Sequence, residues 1–305
     1  MTEHAIETHG LTVYYGKRPG IIDVDMQVQP GEVFGFLGPN GAGKTTTLRA
    51  LLDIIRPSRG SAKIFGHDCQ RAGVQARQSV GYLPGELSLP DNLTANTYLN
   101  MLAATRNITD TSYLRSLCQR LDLDITRKLR QYSRGNKQKV GLVAALFHRP
   151  KLLILDEPTS GLDPLIQQTV LDIVRETQAE GRTVFFSSHI LPEVQAVCSR
   201  VGIIRAGRVV ATETVETLTR QQFRRLQLTF TQAPPAAIFA IEGVTETNRT
   251  NTTITLEVQQ NLPQVLQLAA QHQLTDIETL HVSLEDVFMA YYGRANHHNG
   301  GENHA

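Results

Sequence analysis

Nine consecutive residues carry the clearest chemical signal in this sequence, because the first eight fit the spacing G-x-x-x-x-G-K-[ST] of a phosphate-binding loop. Glycines let the backbone N–H groups curl around an anion, and a following helix presents its partly positive N-terminus to that anion. Lys44 is expected to reach the β- and γ-phosphates, and the Thr45 hydroxyl to supply one ligand of Mg²⁺. The loop consists of Gly38, Pro39, Asn40, Gly41, Ala42, Gly43, Lys44, Thr45 and Thr46.

Two adjacent carboxylates, Asp156 and Glu157, follow the apolar run LLIL and offer the groups that such a loop lacks. Asp156 is placed to complete the Mg²⁺ shell, and Glu157 to orient or polarise an attacking water. An ordinary solvated turn is the alternative, but carboxylates near a core are costly unless they have partners. His189, after the run TVFFSS, could contact the γ-phosphate region, although a single histidine at a strand end is more often structural.

These pieces occur in order with YSRGN at residues 132–136 and SGLD at residues 160–163, and the combination resembles the ATP-binding subunits of ABC transporters. The similarity extends over roughly residues 5–215. It implies that Tyr15 stacks on adenine, that residues 38–46 are the Walker A loop, and that residues 161–163, ending at Asp163, are the D-loop. It also implies catalytic roles for Lys44, for Glu157 beside the Walker B Asp156, and for His189 as the switch histidine.

The sequence departs from the family pattern at two places. The signature segment, residues 132–136, keeps Ser133 and Gly135, which by resemblance donate to the γ-phosphate of a partner subunit, but has Arg134 where the family has glycine. A plain helix N-cap is the alternative role for Ser133. At the Q-loop, Gly85 stands where the family has glutamine, and whether Glu86 substitutes for it stays open, because a carboxylate and a carboxamide are different ligands.

The resemblance implies a subunit that binds ATP and Mg²⁺ and hydrolyses ATP between two copies of itself. It would energise a separate integral-membrane permease that exports a drug, antibiotic or lipid-like cargo, and would lie in the cytoplasm on the inner face of the membrane. The alternatives are a soluble ABC-type ATPase that does mechanical or regulatory work without a membrane partner, a P-loop kinase or GTPase, and a module that holds ATP without turnover.

The elements that must position these residues are those of an α/β protein with a mostly parallel sheet. Short apolar runs at residues 32–37, 152–156, 183–187 and 201–204 have the pattern of fully buried parallel strands. A helical pattern from residue 93 to about residue 129 interrupts them. We therefore expect an ABC ATP-binding domain over residues 1–220, with a helical subdomain at about 90–145.

A second, smaller domain is expected over residues 221–294, with the order β-α-β-β-α-β and a final helix at 284–291, which is typical of a ferredoxin-like arrangement. The prolines at 234 and 235 favour the start of its first helix. Residues 283–288, SLEDVF, resemble the C-terminal extension of prokaryotic antibiotic and multidrug export subunits. The polar tail, residues 295–305, is expected to be disordered.

Composition sets limits on partners and location. The 305 residues carry a formal charge of +1, which gives no general reason to expect a nucleic acid partner. Three cysteines without a C-x-x-C pair argue against a disulfide framework or a thiolate zinc site. The first ten residues lack the features of a secretory signal, and the longest apolar stretch, residues 140–147, is far shorter than the roughly 20 residues that span a bilayer.

Overall fold

The computed structural model describes residues 3–220 and 224–280. The chain separates into two compact units, Met1–Val215 and Glu216–Ala305, and each is described by itself. The strands of the first unit are β1 (Ile6–Tyr15), β2 (Arg18–Val28), β3 (Val33–Leu37), β4 (Arg59–Ile64), β5 (His67–Asp68), β6 (Val80–Leu83), β7 (Leu152–Asp156), β8 (Thr183–Ser188), β9 (Arg200–Arg205) and β10 (Arg208–Thr214). Its helices are α1 (Lys44–Leu51), α2 (Gly73–Gln78), α3 (Ala95–Thr105), α4 (Ser112–Arg120), α5 (Arg134–Leu146), α6 (Pro164–Ala179) and α7 (Leu191–Val197), and α8 (Val215–Arg220) follows β10.

A six-stranded sheet with the order β10-β9-β3-β8-β7-β6 forms the centre of this unit. All neighbouring strands in it pair in parallel except β10, which is antiparallel to β9. Every residue of β3, β7 and β8 is buried, which is why each contains an uninterrupted apolar run, VFGFL, LLIL and VFF, instead of an alternating pattern. The predicted α/β class and its four buried strands are confirmed as β3, β7, β8 and β9.

The carboxyl ends of β3, β7 and β8 lie side by side at one edge of this sheet. Leu37 at the end of β3 pairs with Ser188, and Asp156 at the end of β7 pairs with Ser187. The phosphate loop, the pair of carboxylates and the strand-end histidine therefore leave the sheet at neighbouring points. Ligands of open parallel sheets bind at this edge.

The expected helical insertion lies between β6 and β7 and contains α3, α4, a short 3₁₀ turn (Leu129–Gln131) and α5. Leu114 and Leu117 on α4, together with Leu121, are buried, as their spacing predicts for one face of a helix. A second, antiparallel sheet, with the order β2-β1-β4-β5, completes the unit. No helix among the described residues has the length and apolar character needed to cross a membrane.

The second unit contains β11 (Arg224–Phe230), β12 (Val244–Arg249), β13 (Thr253–Val258), α9 (Leu262–Gln271) and β14 (Leu274–Leu280). The strands form one antiparallel sheet in the order β12-β13-β11-β14, which is the strand order of a ferredoxin-like fold. Its buried cluster includes Leu228, Phe230, Ile254, Leu256 and Val265.

The predicted helix after Pro234 and Pro235 is wrong, because this segment forms turns between β11 and β12. Ala237 has a left-handed backbone with φ of 64°, which a helix does not tolerate, and the turns bury Phe239 against Phe230 with ring centroids 6.4 Å apart. The helix expected at 284–291 and the tail at 295–305 lie outside the described residues.

Candidate functional site

The phosphate loop joins the carboxyl end of β3 to α1. Gly43, the N-cap of α1, has φ of 112°, no side chain caps the helix, and its first turn contains no acidic residue. The N–H groups of that turn, which have no acceptors within the helix, are left for an anion. Gly38 approaches β9 so closely that a Cβ there would lie 2.4 Å from the carbonyl oxygen of Ile204, so only glycine fits this position.

Lys44 turns its side chain back across this loop. Its ammonium donates to the carbonyl oxygens of Gly38 at 2.6 Å and Pro39 at 3.2 Å. The same nitrogen lies 3.1 Å from Oε1 of Glu157, and the lysine side chain is only 6 % exposed. The cation is thus held at the centre of the loop, in contact with the carboxylate that follows β7.

Asp156 is fully buried, and hydroxyl groups from two other segments bind its two oxygens. Thr45 Oγ1 donates to Oδ2 and Ser187 Oγ donates to Oδ1, each at 2.7 Å. Burial and the neighbouring Asp156 raise the pKa of Tyr82 on β6 to about 12. The described residues contain no group of three or more histidine, cysteine or acidic side chains around a common point. One carboxylate beside one hydroxyl fits Mg²⁺ that takes its other ligands from phosphates and water.

Glu157 has an uncommon backbone conformation, with φ of 52°. A left-handed conformation costs a residue with a side chain about 1–2 kcal/mol, so surrounding contacts must hold it. The N–H of Glu157 donates to the carbonyl oxygen of Ser187 at 3.1 Å, and its Oε2 lies 2.7 Å from His189 Nδ1. Lys44 Nζ lies beside Oε1, so each carboxylate oxygen of Glu157 has a nitrogen atom next to it, one from Lys44 and one from His189.

Tyr15, predicted to stack on a base, is half exposed beside the same loop. Its hydroxyl lies 3.4 Å from Thr46 Oγ1. Its ring packs on Gly20, where an added Cβ would lie 2.8 Å from Cε2 of the tyrosine. The structure thus brings an exposed aromatic side chain to the phosphate loop.

The signature segment contacts the D-loop of the same chain. Ser133 caps α5 by accepting a hydrogen bond from the Asn136 N–H at 3.2 Å. A Cβ on Gly135 would lie 2.6 Å from the carbonyl oxygen of Gly161, and Arg134 Nη2 donates to Ser160 Oγ at 3.2 Å.

Ser133, Gly135 and Asp163 stand apart from the other predicted site residues. Asp163 caps α6, where its side chain accepts from the Ile166 N–H at 3.1 Å. No hydrogen bond within residues 3–220 and 224–280 joins any of these three residues to the phosphate loop. The structure therefore brings together Tyr15, the loop, Asp156, Glu157 and His189, and leaves the signature segment and Asp163 outside that group.

A cavity of about 400 Å³ is lined by Gly85, the residue at the expected Q-loop position. A Cβ on Gly85 would be 3.2 Å from Asp156 Oδ2, so the backbone of residue 85 itself approaches the metal-binding carboxylate expected from the sequence. Glu86 lines the cavity together with Arg134, Lys137 and Gln138. Glu86 therefore shares this cavity with three residues of α5.

Sequence reasoning missed several residues that hold the site together. Gln138 on α5 donates to the carbonyl oxygens of Glu157 at 3.1 Å and Pro158 at 3.3 Å. Ser187 donates to Asp156, and its signal in the sequence is a hydroxyl group in a fully buried strand, which needs a polar partner.

Glu193 on α7 is a further residue that the sequence did not indicate. This buried carboxylate accepts from Thr159 Oγ1 at 2.6 Å and from Ser188 Oγ at 2.7 Å. It thereby links the stretch after Glu157 to the residue before His189. An acidic residue in a short helix with an apolar face gave no indication that it points inward.

Comparisons with known proteins show which chains this one is similar to. The family model described as ABC transporter matches residues 21–160. An uncharacterized ABC transporter ATP-binding protein of Nostoc, all4389, is 40% identical over 65% of this chain and 60% of its own length, so the chain spans less than two thirds of that relative. The linearmycin resistance ATP-binding protein LnrL of Bacillus subtilis is 30% identical over 80% of each chain. The solved structure of an ATP-binding subunit of an ABC transporter is 31% identical, with a TM-score of 0.66 over 71% of this chain and 92% of the other.

Proposed function

Because this chain belongs to the ABC transporter family, we propose that it is the subunit that binds and hydrolyses ATP to energise an exporter. One observation carries the proposal. Lys44, Asp156, Glu157 and His189 come from three separate segments and meet at one sheet edge, and the contacts of Glu157 with Lys44 and His189 are 3.1 and 2.7 Å.

Each predicted residue has a role in binding the nucleotide. Tyr15 stacks on adenine, and the backbone N–H groups of residues 38–46 surround the phosphates. Lys44 binds the β- and γ-phosphates as a compact positive charge. Thr45 and Asp156 hold Mg²⁺, which when bound neutralises charge on the phosphates. Since Asp156 is fully buried and a hydroxyl group donates to each of its oxygens, its side chain is held in one position for the ion.

Hydrolysis transfers the terminal phosphoryl group of ATP to water. A water molecule attacks the γ-phosphorus, the bond to the β,γ-bridging oxygen breaks, and ADP leaves with that oxygen while phosphate takes the hydroxyl. Glu157 orients the water and accepts its proton, and His189, 2.7 Å from Oε2, holds the carboxylate and contacts the γ-phosphate. Lys44 stabilises the negative charge that develops on the departing oxygen.

Two copies of the chain complete the site in this proposal. Ser133 and Gly135 at the N-terminus of α5 donate to the γ-phosphate held by the other copy, and Asp163 lies in the D-loop between them. Support comes from the exposure of Ser133 and from its lack of a hydrogen bond to the phosphate loop of its own chain, among the described residues. ATP then stabilises the dimer through contacts that only the closed state makes.

The transport partner in this proposal is a separate integral-membrane permease, with this subunit on the inner face of the membrane. The relative LnrL is named for linearmycin resistance, which favours an antibiotic, drug or lipid-like cargo. Closure and opening of the ATP-bound dimer would move the permease through the helical insertion between β6 and β7.

The test measures phosphate release by the purified chain and by Glu157→Gln. Loss of the carboxylate should lower kcat about 100-fold or more, while ATP still binds and drives dimer formation in size-exclusion chromatography. Glu176→Gln is the matched control, since Glu176 pairs with Arg120 on the surface at 2.6 Å and should leave the rate unchanged. Phosphate release that is the same in Glu157→Gln and wild type would indicate a module that holds ATP without turnover, and phosphoryl transfer to an added acceptor would indicate a kinase.

A second measurement tests the transport assignment. The chain is expected to copurify with a membrane protein that has several spanning helices, and that complex, in vesicles, should hydrolyse ATP faster in the presence of cargo. A chain with full, cargo-independent ATPase activity and no membrane partner would support the soluble mechanical ATPase instead.

A further inference from the structure

We propose that Gln138 is a positioning residue that fixes the backbone of Glu157 and thereby connects the signature helix to the water-activating carboxylate of the same chain. This inference rests on the proposed ATP hydrolysis and adds a residue that positions the carboxylate required for it. Gln138 lies on α5, whose N-terminus is capped by Ser133.

Gln138 makes two hydrogen bonds to the chain after β7, and both lie in a buried environment. The carboxamide Nε2 of Gln138 donates to the carbonyl oxygen of Glu157 at 3.1 Å and to that of Pro158 at 3.3 Å. Gln138 is only 5 % exposed, so water does not readily replace these bonds. A buried amide that donates to these two successive carbonyl groups fixes the orientation of the peptide units on both sides of Pro158.

The backbone conformation at Glu157 decides where its carboxylate points. The residue has a left-handed backbone, with its N–H bound to the Ser187 carbonyl at 3.1 Å on one side. On the other side its carbonyl accepts from Gln138 and from the Ser160 N–H at 3.1 Å. Without the carboxamide, the strained residue can relax toward an ordinary conformation, and the side chain then leaves Lys44 and His189.

The same helix carries the groups proposed to contact the other copy's γ-phosphate. Ser133 caps α5, and Gly135 on its first turn lies so close to Gly161 that an added Cβ would be 2.6 Å from the Gly161 carbonyl oxygen. Because a helix moves as a rigid element, a displacement of its N-terminus also moves Gln138 little more than one turn further along. When the N-terminus of α5 binds the γ-phosphate of the other copy, the resulting displacement of α5 therefore also reaches Glu157 of its own chain.

The closing experiment compares Gln138→Glu with Gln167→Glu in steady-state ATP hydrolysis between pH 6 and 8. Gln167 on α6 is the matched control, since it also donates to two backbone carbonyls, those of Leu162 at 3.0 Å and Thr159 at 3.4 Å, but does not contact Glu157. A carboxylate at 138 repels the two carbonyl oxygens, whereas a protonated carboxyl donates to one of them. Gln138→Met, which lacks a donor but keeps the volume, covers the case in which the charged variant does not fold.

We expect Gln138→Glu to lower kcat about 30-fold at pH 8, with KM for ATP within about twofold of wild type. Burial and the two carbonyl oxygens disfavour the ionised form of a glutamate at 138, so protonation at lower pH should raise the kcat of this variant relative to wild type. Gln138→Met should be slow at every pH. Gln167→Glu should stay within about twofold of wild type. Equal effects of the two glutamate variants, a loss confined to KM, or wild-type kcat in Gln138→Met would overturn the positioning role while wild type still hydrolyses ATP. A wild-type chain without ATP hydrolysis would overturn the proposed function and this inference with it.

Discussion

The pH dependence of stability should contain a contribution from one buried histidine, His148. This residue follows α5, and its Nε2 lies 3.3 Å from the carbonyl oxygen of Val80. Burial, with smaller contributions from Arg106 and Arg182, lowers its pKa from 6.5 to about 4. In the unfolded chain the imidazole regains an ordinary pKa of about 6.5 and binds a proton more readily than in the fold.

The sign follows from which state binds the proton. Above pH 6.5 the imidazole is neutral in both states, so its effect on the free energy of unfolding is absent. As the pH falls from 6.5 toward 4, only the unfolded chain becomes protonated, and the fold loses stability. The full difference in pKa corresponds to about 3 kcal/mol; because water partly reaches the ring and screens the nearby charges, we expect a loss of about 2 kcal/mol by pH 4.

The assay is urea unfolding of wild type and His148→Gln at several pH values between 7.5 and 4. The sequence contains no tryptophan, so tyrosine fluorescence reports unfolding, and six of its eight tyrosines lie in the first unit. We expect the variant to lose about 2 kcal/mol less than wild type over this range. Identical pH dependence in the two proteins would refute the reasoning, because it would mean that His148 takes up its proton equally well in the fold.

Three further predictions concern other contacts. Gly135→Ala places a Cβ 2.6 Å from the Gly161 carbonyl oxygen, so it should cost about 1–3 kcal/mol in thermal unfolding and weaken the ATP-dependent dimer; an unchanged melting temperature would argue against this close contact. Ser187→Ala leaves one oxygen of the buried Asp156 unpaired, so we expect a loss of about 2 kcal/mol in urea unfolding and a higher Mg²⁺ requirement for hydrolysis, and wild-type values for both would count against it. Burial raises the pKa of all three cysteines, to about 12 for Cys69 and about 11 for Cys118, so a thiol reagent at pH 8 should label them only after unfolding, and rapid labelling of the native protein would contradict this.

The sequence predicted the parts of the site that depend on local pattern. Apolar runs before Gly38, Glu157 and His189 located three buried strands, and parallel strands place their carboxyl ends at one edge. That rule alone brought together residues that are more than a hundred positions apart in the chain. The glycine-rich loop was equally predictable, because its spacing is set by the backbone and not by distant side chains.

The contacts that depend on side-chain orientation across elements were not predictable. Gln138 lies between two lysines in the sequence, and only the packing of α5 on the chain after β7 turns it toward Glu157. The turn segment with Ala237 was predicted as a helix because proline has a strong propensity for the first position of a helix. Burial of Phe239 in the second unit outweighs that propensity.

The buried carboxylate of Glu193 has a consequence for how this sequence can vary. Its two oxygens each depend on one hydroxyl, from Thr159 and from Ser188, and these come from different stretches of the chain. Replacing either hydroxyl by a methyl group leaves one buried oxygen of Glu193 without a donor. Replacing the acid alone leaves two hydroxyl donors without an acceptor. Natural variants of this protein should therefore exchange the three positions as a set, and an alignment of its orthologues would display that covariation.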